Sequence, residues 1–220
     1  MLTKKKIVIS LILNIIIFVF TVGIVVSYFF WSSGATDVTG PERFMYFTTD
    51  SNILSAIAAL IMAFFEIQIL KGKVKTLPHF AVIFKYVATV SVMVTFFTVM
   101  LFLGPIYTYK FVLSDTAFYM HLVEPLSAFI SLCVFETASP ISMKEMLLGL
   151  LPTVIYGIVY VVEVILISAE NGGWYDFYSF NIGGYWYVTV FVMILATFLI
   201  CLLTRYVHNK VYKIASKKHN

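Results

Sequence analysis

The chain of 220 residues is 61% hydrophobic and only 12% charged, and its mean hydropathy is +0.96. Soluble domains are about half apolar and about a quarter charged, so this composition excludes a soluble protein and leaves no room for a separate soluble domain. The net charge of +4 does not indicate nucleic-acid binding, because the basic residues stand in short segments beside apolar stretches, where they set membrane topology. The sequence predicts an all-α, polytopic membrane protein.

Six apolar segments follow one another along the chain, each close to the length of about 20 residues with which a helix crosses a bilayer. They predict a single transmembrane domain, residues 1–220, with six spans. Gly104-Pro105 is expected to end the third span, and Ser114-Asp115 to cap the fourth. The predicted spans cover about residues 7–31, 44–70, 80–103, 118–135, 146–168 and 185–207.

The first apolar segment has an alternative interpretation as a cleaved signal peptide. Lys4, Lys5 and Lys6 form a basic start, and residues 32–35 (Ser-Ser-Gly-Ala) resemble a cleavage site. The apolar region of a signal peptide has about 7–15 residues, however, and this segment is longer. We therefore expect a retained first span.

The distribution of basic residues predicts the orientation of the six spans. In a six-span arrangement the basic residues collect on one side, whereas acidic residues dominate the loops of the other side. The positive-inside rule then predicts cytoplasmic N and C termini in a multi-pass protein of the cell membrane. The basic side is formed by Lys4, Lys5, Lys6, Lys71, Lys73, Lys75, Lys144, Arg205, Lys210, Lys213, Lys217 and Lys218.

A run of five polar residues opens the second span. In hydrocarbon every polar group needs a partner, because water is not available there. Residues three and four apart share a helix face, which places Thr48, Ser51, Asn52 and Ser55 on one stripe, with Thr49 at its edge. Such a stripe either joins helices by hydrogen bonds or lines a site.

Ionisable residues are predicted at the same depth as this stripe. Asp50, His121, Glu124 and Glu163 all fall in the outer half of their spans in the six-span arrangement. Intramembrane ionisable groups are costly and mark functional sites. Each of them alone also has a structural explanation, for example a local pair of Glu124 with His121 one turn earlier.

The inner halves of the spans are expected to lack a polar path. Asn14, Glu66 and Glu136 fall near the cytoplasmic ends, where water is close. The absence of such a path, together with the absence of paired broken helices, argues against a transporter.

A hydroxyl, an imidazole and a carboxylate together suggest nucleophilic catalysis. A Thr hydroxyl needs a base within hydrogen-bond reach, and His121 is the group at this depth that titrates near neutral pH. Glu124 or Asp50 is expected to orient the imidazole, and Asn52 or Ser51 to donate to a developing oxyanion. Metal-ligand spacing and phosphate-binding loops do not occur, so no metal and no cofactor are expected.

Several short sequence pieces resemble a bacterial six-span family called Pr-six-Pr, in their order and in their positions from the second span onward. That family is similar, in span count and in the placement of Thr and His, to the androgen-induced membrane hydrolases, which cleave esters of fatty acids with hydroxy fatty acids. The resemblance implies His121 as the base and Thr48 or Thr49 as the nucleophile. The pieces are Tyr46-Phe47-Thr48-Thr49-Asp50-Ser51-Asn52-Ile53-Leu54, Gly104-Pro105-Ile106-Tyr107, His121-Leu122-Val123-Glu124-Pro125-Leu126, Pro152, Tyr156, Tyr160 and Gly172-Gly173-Trp174-Tyr175.

The two family patterns differ in the threonine that they select. The bacterial pattern Phe-Thr-x-x-Ser-Asn selects Thr48, whereas the hydrolases place Thr three residues before Asn, which selects Thr49 through Asn52; we favour Thr48. The bacterial family often has an acidic residue ten positions after its His, where this chain has Ser131.

Two functional hypotheses follow. The first is an intramembrane hydrolase of lipid esters near the outer leaflet, with membrane lipids as surroundings, a fatty-acyl ester as substrate, and Trp174 and Tyr175 covering the opening. The second is a non-enzymatic protein that binds or transports a lipid or another small molecule with the same polar cluster. Neither hypothesis involves nucleic acid.

Overall fold

The computed structural model describes residues 3–31 and 38–217, which form helices and connecting turns and contain no β-strand. Six of the helices in these residues are long and apolar enough to cross a membrane, which makes the chain a multi-pass membrane protein. We number them α1 to α6. Their bounds are α1 Lys4–Ser27, α2 Phe47–Leu70, α3 His79–Tyr107, α4 Asp115–Phe135, α5 Met143–Ile167 and α6 Trp186–Lys217.

Helix α3 is the centre of the bundle. It is the most buried of the six helices, and it packs against α2, α4, α5 and α6. Helix α1 packs against α2 and α4 at the other side of the bundle, and α5 is the most exposed helix. Lipid is as apolar as a protein core, so helices in a membrane associate through close packing and hydrogen bonds. The outward faces carry large apolar side chains such as Leu101, Ile155 and Phe191, as contact with lipid requires.

Small residues allow the helices to approach one another closely. Helix α2 buries four alanines within the bundle, at positions 56, 58, 59 and 63. On α5, a Cβ atom at Gly149 would lie 2.8 Å from the Cys201 sulfur of α6 and 3.3 Å from the Tyr86 ring of α3. The Tyr86 hydroxyl donates to the Cys201 carbonyl at 3.0 Å, so α3, α5 and α6 are joined at this level.

Two helices contain a wide, π-helical turn just before a proline. In α3 this turn covers Val99–Leu103 and is followed by Pro105, and in α4 it covers Tyr119–Val123 and is followed by Pro125. Proline donates no hydrogen bond to the carbonyl four residues earlier, and the wide turn accommodates this loss. The expected break at Gly104-Pro105 is therefore wrong: α3 continues to Tyr107 and ends at Thr108, whose φ is 70°.

The helix bounds differ from the predicted spans mainly at the two ends of the chain. Helix α1 already ends at Ser27, and α6 continues to Lys217, well beyond residue 207. The candidate cleavage site at residues 32–35 and the tail residue Lys218 lie outside the described residues. The chain connects α1 to α2 through a 3-10 helix, Gly40–Met45, and α3 to α4 through a short helix, Tyr109–Val112.

Candidate functional site

Two cavities meet at the end of the bundle where α2 begins, which we call the cavity end. The polar cavity has a volume of about 390 Å³ and lies between the starts of α2 and α4 and the loop before α6. The apolar cavity has a volume of about 350 Å³ and lies between α3, α5 and α6. Both cavities are lined by Thr48, Leu103 and Tyr178, so Thr48 stands at their junction.

The structure brings the predicted hydroxyl and imidazole together. Thr48 lies in the first turn of α2, and its Oγ1 is 3.3 Å from Nε2 of His121 in the wide turn of α4. Thr49 is buried and also lines the polar cavity, but among the described residues no hydrogen bond joins it to His121. Of the two candidate nucleophiles, Thr48 therefore has the base in reach.

The tautomer of His121 follows from its second contact. Its Nδ1 lies 2.6 Å from the backbone carbonyl of Val112. A carbonyl only accepts hydrogen bonds, so Nδ1 carries the proton and the lone pair of Nε2 points to the Thr48 hydroxyl. This arrangement is the one in which the imidazole can take a proton from Thr48.

The residue that orients His121 is not one of the predicted carboxylates. Within the residues that the structure describes, neither Glu124 nor Asp50 forms a hydrogen bond with His121, and the Val112 carbonyl takes that role. Glu124 is fully buried and neither of its carboxyl oxygens has a hydrogen-bond partner in the described part of the chain. The wide turn changes the direction of the side chains, so the usual pairing across one helical turn does not apply here.

Asn52 and Ser51 position Thr48 instead of facing the cavities. The Asn52 amide donates to the carbonyl of Thr48 at 2.8 Å and to that of Met120 on α4 at 3.2 Å. The Ser51 hydroxyl donates to the Thr48 carbonyl at 3.2 Å and lies 3.0 Å from the Thr95 hydroxyl of α3. Both donors are occupied, and the two side chains do not line either cavity, so the structure does not bring them to the position of an oxyanion beside Thr48.

Tyr178, which the sequence analysis did not single out, lies next to Thr48. Its hydroxyl oxygen accepts the backbone N–H of Phe47 at 3.1 Å and interacts with the Thr48 side chain. Burial raises the pKa of Tyr178 to about 12, so the phenol keeps its proton at physiological pH. A protonated phenol at this position can donate a hydrogen bond to an oxygen that develops charge beside Thr48. The sequence gives no signal for this contact, because Tyr178 is one of several aromatic residues in a glycine-containing loop whose conformation the sequence does not determine.

The two loop aromatics predicted as a cover are placed differently from each other. Tyr175 is half exposed, lines the polar cavity, and its hydroxyl lies 2.9 Å from that of Tyr46. Trp174 lines neither cavity and packs against Tyr156 and Tyr160, so the structure does not bring it to the cavities. Glu163 also lines neither cavity.

A second polar cluster lies in the half of the bundle away from the cavities. Asn14, Glu66 and Glu136, which were expected beside water, are at most 1% exposed, and so is Lys85 of α3, which the sequence analysis overlooked. They are joined through side-chain hydrogen bonds, so the expectation that Asn14, Glu66 and Glu136 lie beside water is wrong. Ser131, which occupies the position of the family's acidic residue, donates to Glu136 at 2.7 Å. We call Ser10, Asn14, Glu66, Lys85, Ser131 and Glu136 the Glu66–Glu136 cluster.

Among the described residues, no group of three or more His, Cys, Asp and Glu side chains has a geometry that would hold a metal ion.

Comparison with protein-family models, with curated proteins and with solved structures finds no match to this chain. The resemblance to the Pr-six-Pr family therefore stays an expectation drawn from the sequence pieces alone.

Proposed function

We propose that the protein is an intramembrane hydrolase of lipid esters, with Thr48 as the nucleophile and His121 as the general base. The observation that carries this proposal is the 3.3 Å contact between Thr48 Oγ1 and His121 Nε2 at the junction of a polar and an apolar cavity. An alcohol becomes a nucleophile when a base within hydrogen-bond reach removes its proton, and Nε2 holds its lone pair toward that alcohol. The resemblance to the androgen-induced hydrolases points to the same pair.

The chemistry uses groups that are already in place. Thr48 Oγ1 attacks the ester carbonyl carbon while His121 Nε2 takes the hydroxyl proton, and Tyr178 donates to the carbonyl oxygen as it becomes negative. The ester C–O bond then breaks, and His121 returns the proton to the leaving alcohol. A water molecule attacks the acyl-Thr48 ester with His121 again as the base, which releases the acid and restores the Thr48 hydroxyl.

The two cavities support an amphiphilic substrate. The apolar cavity is lined by side chains such as Val94, Val99, Met193 and Ile194, which suit an acyl chain. The polar cavity is lined by Arg43, Asp176 and several tyrosines, which suit the alcohol portion of the ester and the attacking water. An ester between these two portions would lie beside Thr48.

The proposed orientation places the cavities under the extracytoplasmic surface of the cell membrane. The basic residues support it, because they gather at the ends of the helices opposite the cavities and in the C-terminal part of α6. An acyl chain would then enter from the outer leaflet, between the exposed faces of α5 and α6 that border the apolar cavity.

A second candidate function is binding or transport of an amphiphile without cleavage. One observation favours it: the Glu66–Glu136 cluster buries charged groups in the other half of the bundle, and such groups occur in proton relays of transporters. The same two cavities would then bind the ligand, with Thr48 and His121 as polar contacts.

Turnover of a fluorogenic lipid ester by the purified protein in lipid nanodiscs tests the proposal. His121→Ala and Thr48→Ala should each reduce turnover by about 10²- to 10⁴-fold, as the loss of a nucleophile–base pair predicts, whereas Thr49→Ala should retain it. Mass spectrometry of a stopped reaction should show the acyl group on the peptide that contains Thr48. Turnover that survives His121→Ala would refute the mechanism, and saturable ligand binding without turnover would favour the second function.

A further inference from the structure

The Glu66–Glu136 cluster lies far along the bundle from Thr48 and is not used by the proposed hydrolysis. It joins four helices: Ser10 and Asn14 of α1, Glu66 of α2, Lys85 of α3, and Ser131 of α4 with Glu136 directly after it. All six side chains are at most 1% exposed. A buried carboxylate needs a compensating charge and hydrogen-bond donors, or else it takes up a proton.

One amide links the two carboxyl groups. The Nδ2 atom of Asn14 lies 2.7 Å from Oε1 of Glu136 and 3.2 Å from Oε2 of Glu66. The two carboxyl groups therefore lie side by side, and they interact electrostatically with each other. The Oδ1 atom of Asn14 accepts a hydrogen bond from Lys85 Nζ at 2.8 Å, so the same residue connects the pair to a cation.

The hydrogen bonds are distributed unequally over the pair. Oε1 of Glu136 accepts three of them, from Asn14, from Ser10 at 3.0 Å and from Ser131 at 2.7 Å. Oε2 of Glu66 accepts one. The remaining oxygens, Oε1 of Glu66 and Oε2 of Glu136, are buried and have no hydrogen-bond partner in the residues that the structure describes.

The charges of the cluster do not balance if every group is ionised. Among the six side chains of the cluster, Lys85 supplies one positive charge against two carboxylates. Two carboxylates that share a buried site retain one proton between them, because the repulsion between two buried negative charges is strong. With a single shared proton, the six side chains together are neutral, and Asn14 connects Lys85 to the carboxyl pair.

We propose that Glu66 and Glu136 form an acid pair that holds one exchangeable proton inside the membrane domain. Oε1 of Glu66 and Oε2 of Glu136 have no hydrogen-bond partner among the described residues, so these oxygens are available to carry the proton. The presence of Lys85 within the cluster disfavours a metal cation as the ligand, because the ammonium group already occupies the cationic position. The inference does not depend on the proposed hydrolysis.

Other titratable groups face the pair from the helices packed around it. Lys85 from α3 interacts electrostatically with Glu66, and the thiol of Cys133 from α4 and His208 from α6 interact with Glu136. The carboxyl of Glu124 from α4 interacts with Lys85. The two ring nitrogens of His208 contact the carbonyls of Leu132 and Ser139, at 3.1 and 3.0 Å. A ring that donates to both carbonyls is doubly protonated and would supply a second positive charge beside Glu136, and the absence of a protonated carboxyl group in the pair would assign His208 this role. Glu124 is the one further buried carboxyl among these groups, so a test must separate its signal from that of the pair.

Infrared spectroscopy tests the proposal, because a protonated carboxyl group has a C=O stretching band that shifts in heavy water and that a carboxylate lacks. The Glu124→Gln protein in nanodiscs should retain such a band at neutral pH, with the intensity of one carboxyl group, and lose it as the pH rises. Glu66→Gln and Glu136→Gln, each in the Glu124→Gln background, should both lose the band, since either substitution removes half of the pair. Glu170→Gln, at an exposed loop position, is the control that should leave it unchanged.

Three results would overturn the proposal. One is the absence of a protonated carboxyl band in Glu124→Gln at neutral pH, which needs no variant of the pair to fold. Another is a band that persists in both pair variants. A third is a band that appears only when sodium is withdrawn at constant pH, which would assign a sodium ion to the cluster in place of the proton.

Discussion

The Thr48–His121 contact and the Glu66–Glu136 cluster are both polar clusters between helices, but they satisfy their polar groups in different ways. Nδ1 of His121 donates to the backbone carbonyl of Val112, and Nε2 faces the Thr48 hydroxyl at the junction of the two cavities. The Glu66–Glu136 cluster is closed on all sides and draws its partners from side chains on four helices. A polar group that borders a cavity is available to bind a ligand. A polar group that is sealed from the cavities affects the protein through its protonation state or through the stability of the fold. Substitutions in the two clusters and at Tyr178 test this distinction.

Lys85→Met should produce the largest loss of stability. Met keeps the length of the side chain but removes both the cation of the cluster and the donor to Asn14 Oδ1, and a buried charge left without compensation costs about 3–5 kcal/mol. Unfolding in a denaturing detergent should show this loss at neutral pH and a partial recovery at lower pH, where the second carboxyl takes up a proton. Lys144→Met, at an exposed position, should change the free energy of unfolding by less than about 0.5 kcal/mol. An equal effect of both substitutions would contradict a charged, sealed cluster.

Tyr178→Phe should reduce the rate of ester hydrolysis with a smaller effect on the fold. The substitution removes the phenol proton beside Thr48, and loss of one oxyanion donor lowers kcat by about 10²- to 10³-fold. The comparison is Tyr175→Phe, which removes the hydroxyl of a second cavity tyrosine whose partner is Tyr46. Steady-state turnover of the same fluorogenic ester measures both variants. Equal kcat values for the two variants would show that the Tyr178 hydroxyl does not donate to the developing oxyanion.

Asn52→Leu should affect both stability and turnover moderately. Leu has a similar size, but it leaves the carbonyls of Thr48 and Met120 without their donor, and an unpaired buried polar group costs about 1–3 kcal/mol. Because these bonds join α2 to α4 beside the Thr48–His121 contact, turnover should fall together with the melting temperature. Asn171→Leu, at an exposed position, provides the matched control for the loss of an amide. Unchanged stability in Asn52→Leu would show that the amide does not join the two helices.

The sequence contains enough information to place Thr48 and His121 at one depth, because helical rise and the order of the spans determine depth. The sequence does not reveal the hydrogen-bond partner of His121 Nδ1. That partner is the backbone carbonyl of Val112, and every residue type has a backbone carbonyl. Thr48 was favoured over Thr49 by a pattern, and the hydrogen bond to His121 agrees with that preference, while the catalytic roles stay predictions. Tyr178 was missed because loop conformation brings it to the site.

The Glu66–Glu136 cluster was missed for a different physical reason. Distance from the end of a span suggests access to water only when no neighbouring helix covers that position, and α1 and α3 cover Glu66 and Glu136 here. Lys85 stands close to the start of α3, where a lysine usually reaches toward the membrane surface. Which groups face one another across helices depends on packing, and the sequence of each helix alone does not determine it.

The wide turn in α4 has a consequence for how this helix can change over time. The wide turn in residues 119–123 holds more backbone than an α-helical turn, so it offsets the face of α4 that precedes it from the face that follows it. His121 within the turn thereby faces Thr48 of α2, while Ser131 beyond the turn faces Ser10 of α1. Deleting one residue of the turn rotates these two faces relative to each other by about 100°, so this stretch accommodates a change of side chain more readily than a change of length.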